Sequence, residues 1–146
     1  MEEYIQTFLI DEIPSNTAKI LDNKRLGKQR VETIQILNVL LGINNIGWKN
    51  HPAVLMWRGY ETFLIKDYLQ AMVDEWRFRG YKGEKCEEHL NRLHGLVISS
   101  PTIVPHWFSE EFFLSHKSNL LRKDYAYYSP IFGTDIPDDL PYIWPK

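Results

Sequence analysis

The order of apolar and polar positions along the chain predicts helices. Thr17, Ile20 or Leu21, Lys24, Gly27, Val31, Ile34, Leu37 and Leu41 follow helical spacing, and the stretch from Ile20 to Leu41 reads as one amphipathic helix. Ser15 or Asn16, just after Pro14, can cap a helix start, and Gly42 is a terminator. A second stripe, Trp57, Tyr60, Leu64, Tyr68, Met72 and Trp76, runs to Gly80, with Asn50 as its cap, Pro52 in its first turn and Gly59 as an interruption. Residues 86–93 read as a short helix, Pro101 and Pro105 bracket an extended linker, and Ser109 caps a last helix through about Lys123. Residues 4–10 have strand-like composition but are short, which suits an extended segment laid across helices. The proline-rich tail ends in Tyr142, Ile143 and Trp144, which argue that it packs onto the body. The expected fold is mainly α: one compact domain over residues 1–146, with three to four main helices and an extended, proline-rich C-terminal tail.

Charge changes the picture of the first helix. Lys24, Arg25, Lys28 and Arg30 crowd into two turns with Asp22 as the one acid among them, in a chain of formal net charge −2. Lys24 and Lys28 share a face and repel, so an anion that neutralises them favours the folded helix. A phosphate backbone is the first candidate, beside the plain alternative of a solvated helix face. Gly27 costs about 1 kcal/mol against alanine inside a helix, which points to close packing, a kink or a ligand against the backbone. A second basic motif is SHKSNLLRKD, residues 115–124. Ser115, Asn119 and Arg122 fall on one stripe bordered by His116 and Lys123, a set suited to positioning phosphates. His51 sits at a helix start, where the dipole favours the neutral imidazole.

The remaining composition bounds the protein class. A single cysteine, Cys86, excludes an internal disulfide and fits a reducing compartment. No apolar run approaches the ~18 residues of a membrane span, and the acidic N-terminus lacks the positive segment of a signal peptide. A cytoplasmic protein is expected. The histidines are scattered and Cys86–His89 has no second ligand pair, so no metal is expected; no nucleotide-binding loop or nucleophile elbow is present, and no cofactor is expected.

These residues reach a family. QTFL (6–9), LDNKRLGKQRVETIQIL (21–37), NHPAVLMWRGYE (50–61), EWRFRGY (75–81), SHKSNLLRKD (115–124) and DDLPYIWP (138–145) together resemble the pyrimidine-dimer DNA glycosylases of the phage endonuclease V type, in a divergent bacterial branch. The resemblance implies a compact all-α glycosylase with an associated β-elimination (AP lyase) activity on double-stranded DNA. It implies a nucleophilic N-terminal α-amine freed by removal of Met, partly neutral at pH 7 because its pKa is about 8. It also implies a helix-borne glutamate that stabilises the charged sugar, arginines that grip phosphates, and a nucleotide that leaves the stack.

Three departures accompany it. Glu2 is too large for ordinary Met removal. Leu26 follows Arg25 where the family has a glutamate, and the next carboxylate, Glu32, stands two helical turns on. Gln29, one turn from Arg25, is the nearer polar substitute. Lys24 and Lys28 are additional, and a lysine is an alternative Schiff-base amine if neighbouring cations lower its pKa. By resemblance Arg25 is the phosphate-gripping arginine and Arg30 matches the second one, while His51 and the Arg122–Lys123 pair belong to the branch's motifs. The expected catalytic set is Arg25, Gln29 and His51. The expected DNA-binding set is Lys24, Arg25, Lys28, Arg30, Ser115, His116, Asn119, Arg122 and Lys123. The expected function is excision of damaged or modified pyrimidines; the alternatives are a non-catalytic DNA-binding module on the same scaffold and a protein-interaction domain.

Overall fold

The computed structural model describes residues 5–44 and 46–145. Glu2 and the α-amine of the expectation above fall in residues 1–4, which lie outside the described residues, as do Asn45 and Lys146. The described residues form seven helices and no strand: α1 (Pro14–Ile20), α2 (Asn23–Leu40), α3 (Pro52–Leu55), α4 (61–78), α5 (Glu84–Leu96), α6 (Glu110–Lys123) and α7 (Tyr125–Phe132), with a 3-10 turn at Ile46–Trp48. In α4 the pieces Glu61–Phe63, Leu64–Leu69 and Gln70–Phe78 follow one another directly, and the middle piece is π-helical.

Capping chemistry divides the chain more finely than its hydrophobic stripes do. The stretch from Ile20 to Leu41 is two elements, because Leu21 and Asp22 are extended and the Asp22 carboxylate accepts the Arg25 N–H. A capped restart satisfies an otherwise orphaned donor. The second stripe breaks at Gly59, whose φ of 93° only glycine adopts readily. His51, not Asn50, caps α3: its Nδ1 accepts the Ala53 N–H at 3.0 Å. The start of the tail is helical, because the Asp124 carboxylate accepts the Tyr127 N–H and starts α7, which carries Pro130 inside it.

The core gathers around Trp57, Tyr68, Phe112 and Tyr128, all fully buried, with α4 packed against α1, α2 and α5. Gly27 lets α2 close on α4: a Cβ there would lie 3.1 Å from the Trp76 ring. Residues 5–9 run through this assembly without regular structure, and side chains satisfy their backbone. The Phe8 N–H donates to the Tyr68 hydroxyl, the Leu9 N–H to His116 Nδ1 and the Ile10 N–H to Thr17 Oγ1, at 2.9, 2.9 and 3.0 Å. Buried amides need such partners where no sheet supplies them. The segment after α7 packs over α6 in turn. The Leu140 N–H donates to Ser118 Oγ, the Tyr142 hydroxyl donates to the Thr7 carbonyl at 2.6 Å, and the Tyr142 ring stacks on His116. Among the described residues no helix is long and apolar enough to cross a membrane.

Candidate active site

One face of α2 opens onto a cleft of about 580 Å³. Arg25, Lys28, Gln29, Glu32 and Gln35 line it at helical spacing, and Lys24 stands at its end. The opposite sides come from Ile5, Gln6 and Phe8 of the threaded segment, from Trp48 of the 3-10 turn, and from Lys123 at the last turn of α6. Among the described residues, four cations from two helices thus face one cleft that holds a single carboxylate, Glu32.

The floor is rigid. The Tyr68 hydroxyl, carried by the π-helical turn of α4, accepts the Phe8 N–H and donates to Gln29 Oε1 at 2.6 Å. Gln29 in turn donates from Nε2 to the Gln6 carbonyl at 2.9 Å. The chain of hydrogen bonds ties α4, α2 and the threaded segment together beneath Glu32. Both ends of the Gln29 amide are used in this brace, and its side chain is buried.

Electrostatics separates the charged groups. Burial pushes the Glu32 carboxyl above its ordinary range, and Lys28, the Gln6 backbone amide and Lys123 only partly oppose this. Burial also pulls the Lys123 ammonium down, reinforced by Arg25, Lys28 and Arg122 and opposed by Glu32. At the other end Asp22 caps α2. Burial pushes its carboxyl up, but the Tyr128 hydroxyl and Arg25 outweigh this and hold it below the usual value. Arg25 pairs with Asp22 at 3.3 Å, which fixes the guanidinium at the cleft's edge.

The other expected site residues lie elsewhere or are engaged inside the fold. Arg30 projects from another side of α2 and stacks over the Trp76 ring, 4.0 Å from its centroid. Ser115 and His116 are buried; Ser115 Oγ donates to the Phe112 carbonyl, and His116 is held neutral by desolvation, its pKa lowered to about 3. Asn119 accepts from Gln6 behind the cleft wall. Arg122 donates to the carbonyls of Asp138 and Leu140 and so pins the tail. His51 caps α3 and meets Trp144 edge-on, outside the cleft lining. Among the described residues no three His, Cys, Asp or Glu side chains are grouped to hold a metal ion.

Sequence reasoning set Glu32 aside as too far from Arg25, and it did not single out Gln6, Gln35 or Trp48. The available signal was periodicity: positions i, i+3, i+4 and i+7 from Arg25 are Arg25, Lys28, Gln29 and Glu32, one stripe of a helix. The threaded segment and Trp48 carry no such signal, because only tertiary packing brings them to α2.

A sequence model of the family described as pyrimidine dimer DNA glycosylase matches residues 5–88. That span holds all of α2, the threaded segment and α4, and with them every cleft residue but Lys123. No curated protein and no solved structure matches the chain.

Proposed function

Because the chain belongs to the pyrimidine dimer DNA glycosylase family, we propose that the cleft along α2 excises damaged or modified pyrimidines from double-stranded DNA. The observation that carries this reading is the position of Glu32: among the described residues, the one carboxylate of a cleft rimmed by Lys24, Arg25, Lys28 and Lys123. Cleavage of a glycosidic bond sends the electron pair of the C1′–N bond away with the base and leaves positive charge on the sugar. A carboxylate fixed against that sugar stabilises the charge, and in a partly dehydrated site the effect is larger than in water. The raised proton affinity of Glu32 also makes it a better base toward an attacking nucleophile.

The cations serve the other half of the task. Duplex DNA presents regularly spaced phosphates, and lysines and arginines at one edge of a cleft fix the register of the strand without reading its sequence. Arg25, oriented by Asp22, suits a directed phosphate contact, while Lys24 and Lys28 are mobile point charges. Trp48 gives the far end of the cleft an aromatic face for an unstacked base. Glu32 takes the place assigned by resemblance to a glutamate directly after Arg25: one turn of the helix separates it from Lys28 and two from Arg25, and it faces the same side as both. Gln29, expected as the substitute, braces the floor instead.

The test is incubation of the protein with irradiated duplexes and duplexes carrying oxidised or otherwise modified pyrimidines. Alkali-labile abasic sites at the damaged pyrimidines are the expected product. Their absence on every lesion of a broad panel rejects the proposal.

A further inference from the structure

We infer that Tyr128 is a positioning residue for DNA binding: its hydroxyl clamps Asp22 and, through Asp22, presents one edge of the Arg25 guanidinium to a phosphate. The inference rests on the DNA-directed reading above and adds α7, which lines no wall of the cleft. Asp124 follows the cleft residue Lys123 directly and caps α7. One turn later Tyr128 reaches the start of α2. α7 thus joins the two helices that supply the cleft's cations, at Lys123 on α6 and at Arg25 on α2.

The clamp has two points. The Tyr128 hydroxyl accepts the Asp22 N–H at 3.0 Å and donates to Asp22 Oδ1. One oxygen therefore fixes both the backbone and the side chain of the residue that caps α2. The ring behind it is fully buried, stacks on Phe132 with 11° between the planes and meets Tyr127 edge-on, so close packing holds the hydroxyl in place. The Asp22 carboxylate spends the rest of its accepting capacity on Arg25. The Arg25 backbone N–H donates to Oδ2 at 3.4 Å, and Nη1 donates to both oxygens at 3.3 Å.

Those separations exceed the ~2.7–2.9 Å of a strong guanidinium–carboxylate contact. Asp22 orients Arg25 without closing on it, because the tyrosine shares its Oδ1. Among the described residues, Nη1 is the one engaged guanidinium nitrogen. Nε and Nη2, the adjacent pair that can grip a phosphate at two points, face no protein partner there. Without the hydroxyl, Oδ1 loses a donor in a partly buried setting, and the nearest replacement is Arg25. Carboxylate and guanidinium then close into a tighter pair that competes with the phosphate. A neutral side chain outside the cleft thereby controls a cation inside it.

A double-mutant cycle tests this, read as the affinity of the full-length protein for a labelled undamaged duplex by fluorescence anisotropy at one salt concentration. Tyr128→Phe is expected to weaken binding by about 10-fold, the loss of one charge-assisted contact. In an Arg25→Lys background, which keeps the charge but has no fork to position, the same change is expected to weaken binding by less than about 2-fold. Urea titrations give the folded fraction of each variant. A purely structural role for the hydroxyl lowers binding alike in both backgrounds, and that result overturns the inference, as does unweakened binding by Tyr128→Phe. Where Tyr128→Phe does not fold, Arg25→Lys alone decides: binding about 10-fold weaker than wild type supports a positioned fork, and wild-type affinity overturns it. Excision of damaged pyrimidines by the wild-type protein reads the glycosylase proposal on its own. Excision without coupling between Tyr128 and Arg25 removes the positioning role alone, coupling without excision removes the glycosylase reading alone, and failure to bind the duplex removes the positioning role.

Discussion

Glu32 shows how one side chain acquires a function from its neighbours. Burial raises its proton affinity above the ordinary carboxylate value of 4.5, and Lys28 and Lys123 pull it back in part. Activity that needs the ionised carboxylate is therefore lost as pH falls through a point above 4.5. Removing Lys28 takes away a cation that favours the ionised form, so Lys28→Gln moves that acid limb to still higher pH. Single-turnover excision rates across the acid range, at saturating protein, measure both effects; a limb at or below the ordinary value, or one that Lys28→Gln leaves in place, contradicts the assignment. In the sequence Glu32 stands two helical turns beyond Arg25, and Gln29, one turn away, is the nearer polar substitute. On a helix, two turns place a side chain back on the same face, and the Arg25–Lys28–Glu32 stripe follows from that alone. By contrast, nothing in SHKSNLLRKD distinguishes Lys123, which reaches the cleft, from His116, which the core encloses. Polar residues on one segment separate into surface and interior only when the tail and the threaded segment pack over it.

At the level of elements, the cleft depends on a chain segment that belongs to no element. Residues 5–9 form one wall, and their position is set by hydrogen bonds from α4 and α2 rather than by a sheet. Tyr68 is the hub. Its loss of one oxygen in Tyr68→Phe strands the buried Phe8 N–H and Gln29 Oε1, which costs about 1–3 kcal/mol. Urea unfolding of wild type and variant measures this; an unchanged midpoint would show that the brace contributes nothing. Sequence patterns gave the extended, non-sheet character of this segment and the main amphipathic stretches. They did not give the number of helices, because breaks at Asp22 and Gly59 and the capped start of α7 are local events that leave the hydrophobic stripes nearly intact. Gly27 was readable as a sign of close approach, and the approaching group is the Trp76 ring.

The whole molecule carries a formal net charge of −2, yet four cations face one cleft. A uniformly basic protein binds DNA on many faces; this distribution favours one orientation, with the cleft toward the strand. Binding is accordingly expected to weaken as salt rises, with the slope of log K against log salt reduced by about 1 for Lys24→Gln and again for Lys28→Gln. Lys85→Gln, an exposed change on α5 outside the cleft, is expected to leave the slope unaltered. Fluorescence anisotropy with a labelled duplex over a salt series measures all three; equal effects at all three positions would mean that the cleft does not orient the DNA.

The central claim is that Glu32 within this cleft performs the excision, and the most direct measurement compares wild type with Glu32→Gln in two assays on the same lesion-containing duplex. The substitution keeps the size of the side chain and removes its charge from among four cations. Single-turnover formation of abasic sites is predicted to fall by about 100-fold or more, while affinity for the duplex stays equal or increases. Excision by Glu32→Gln at the wild-type rate would contradict the account.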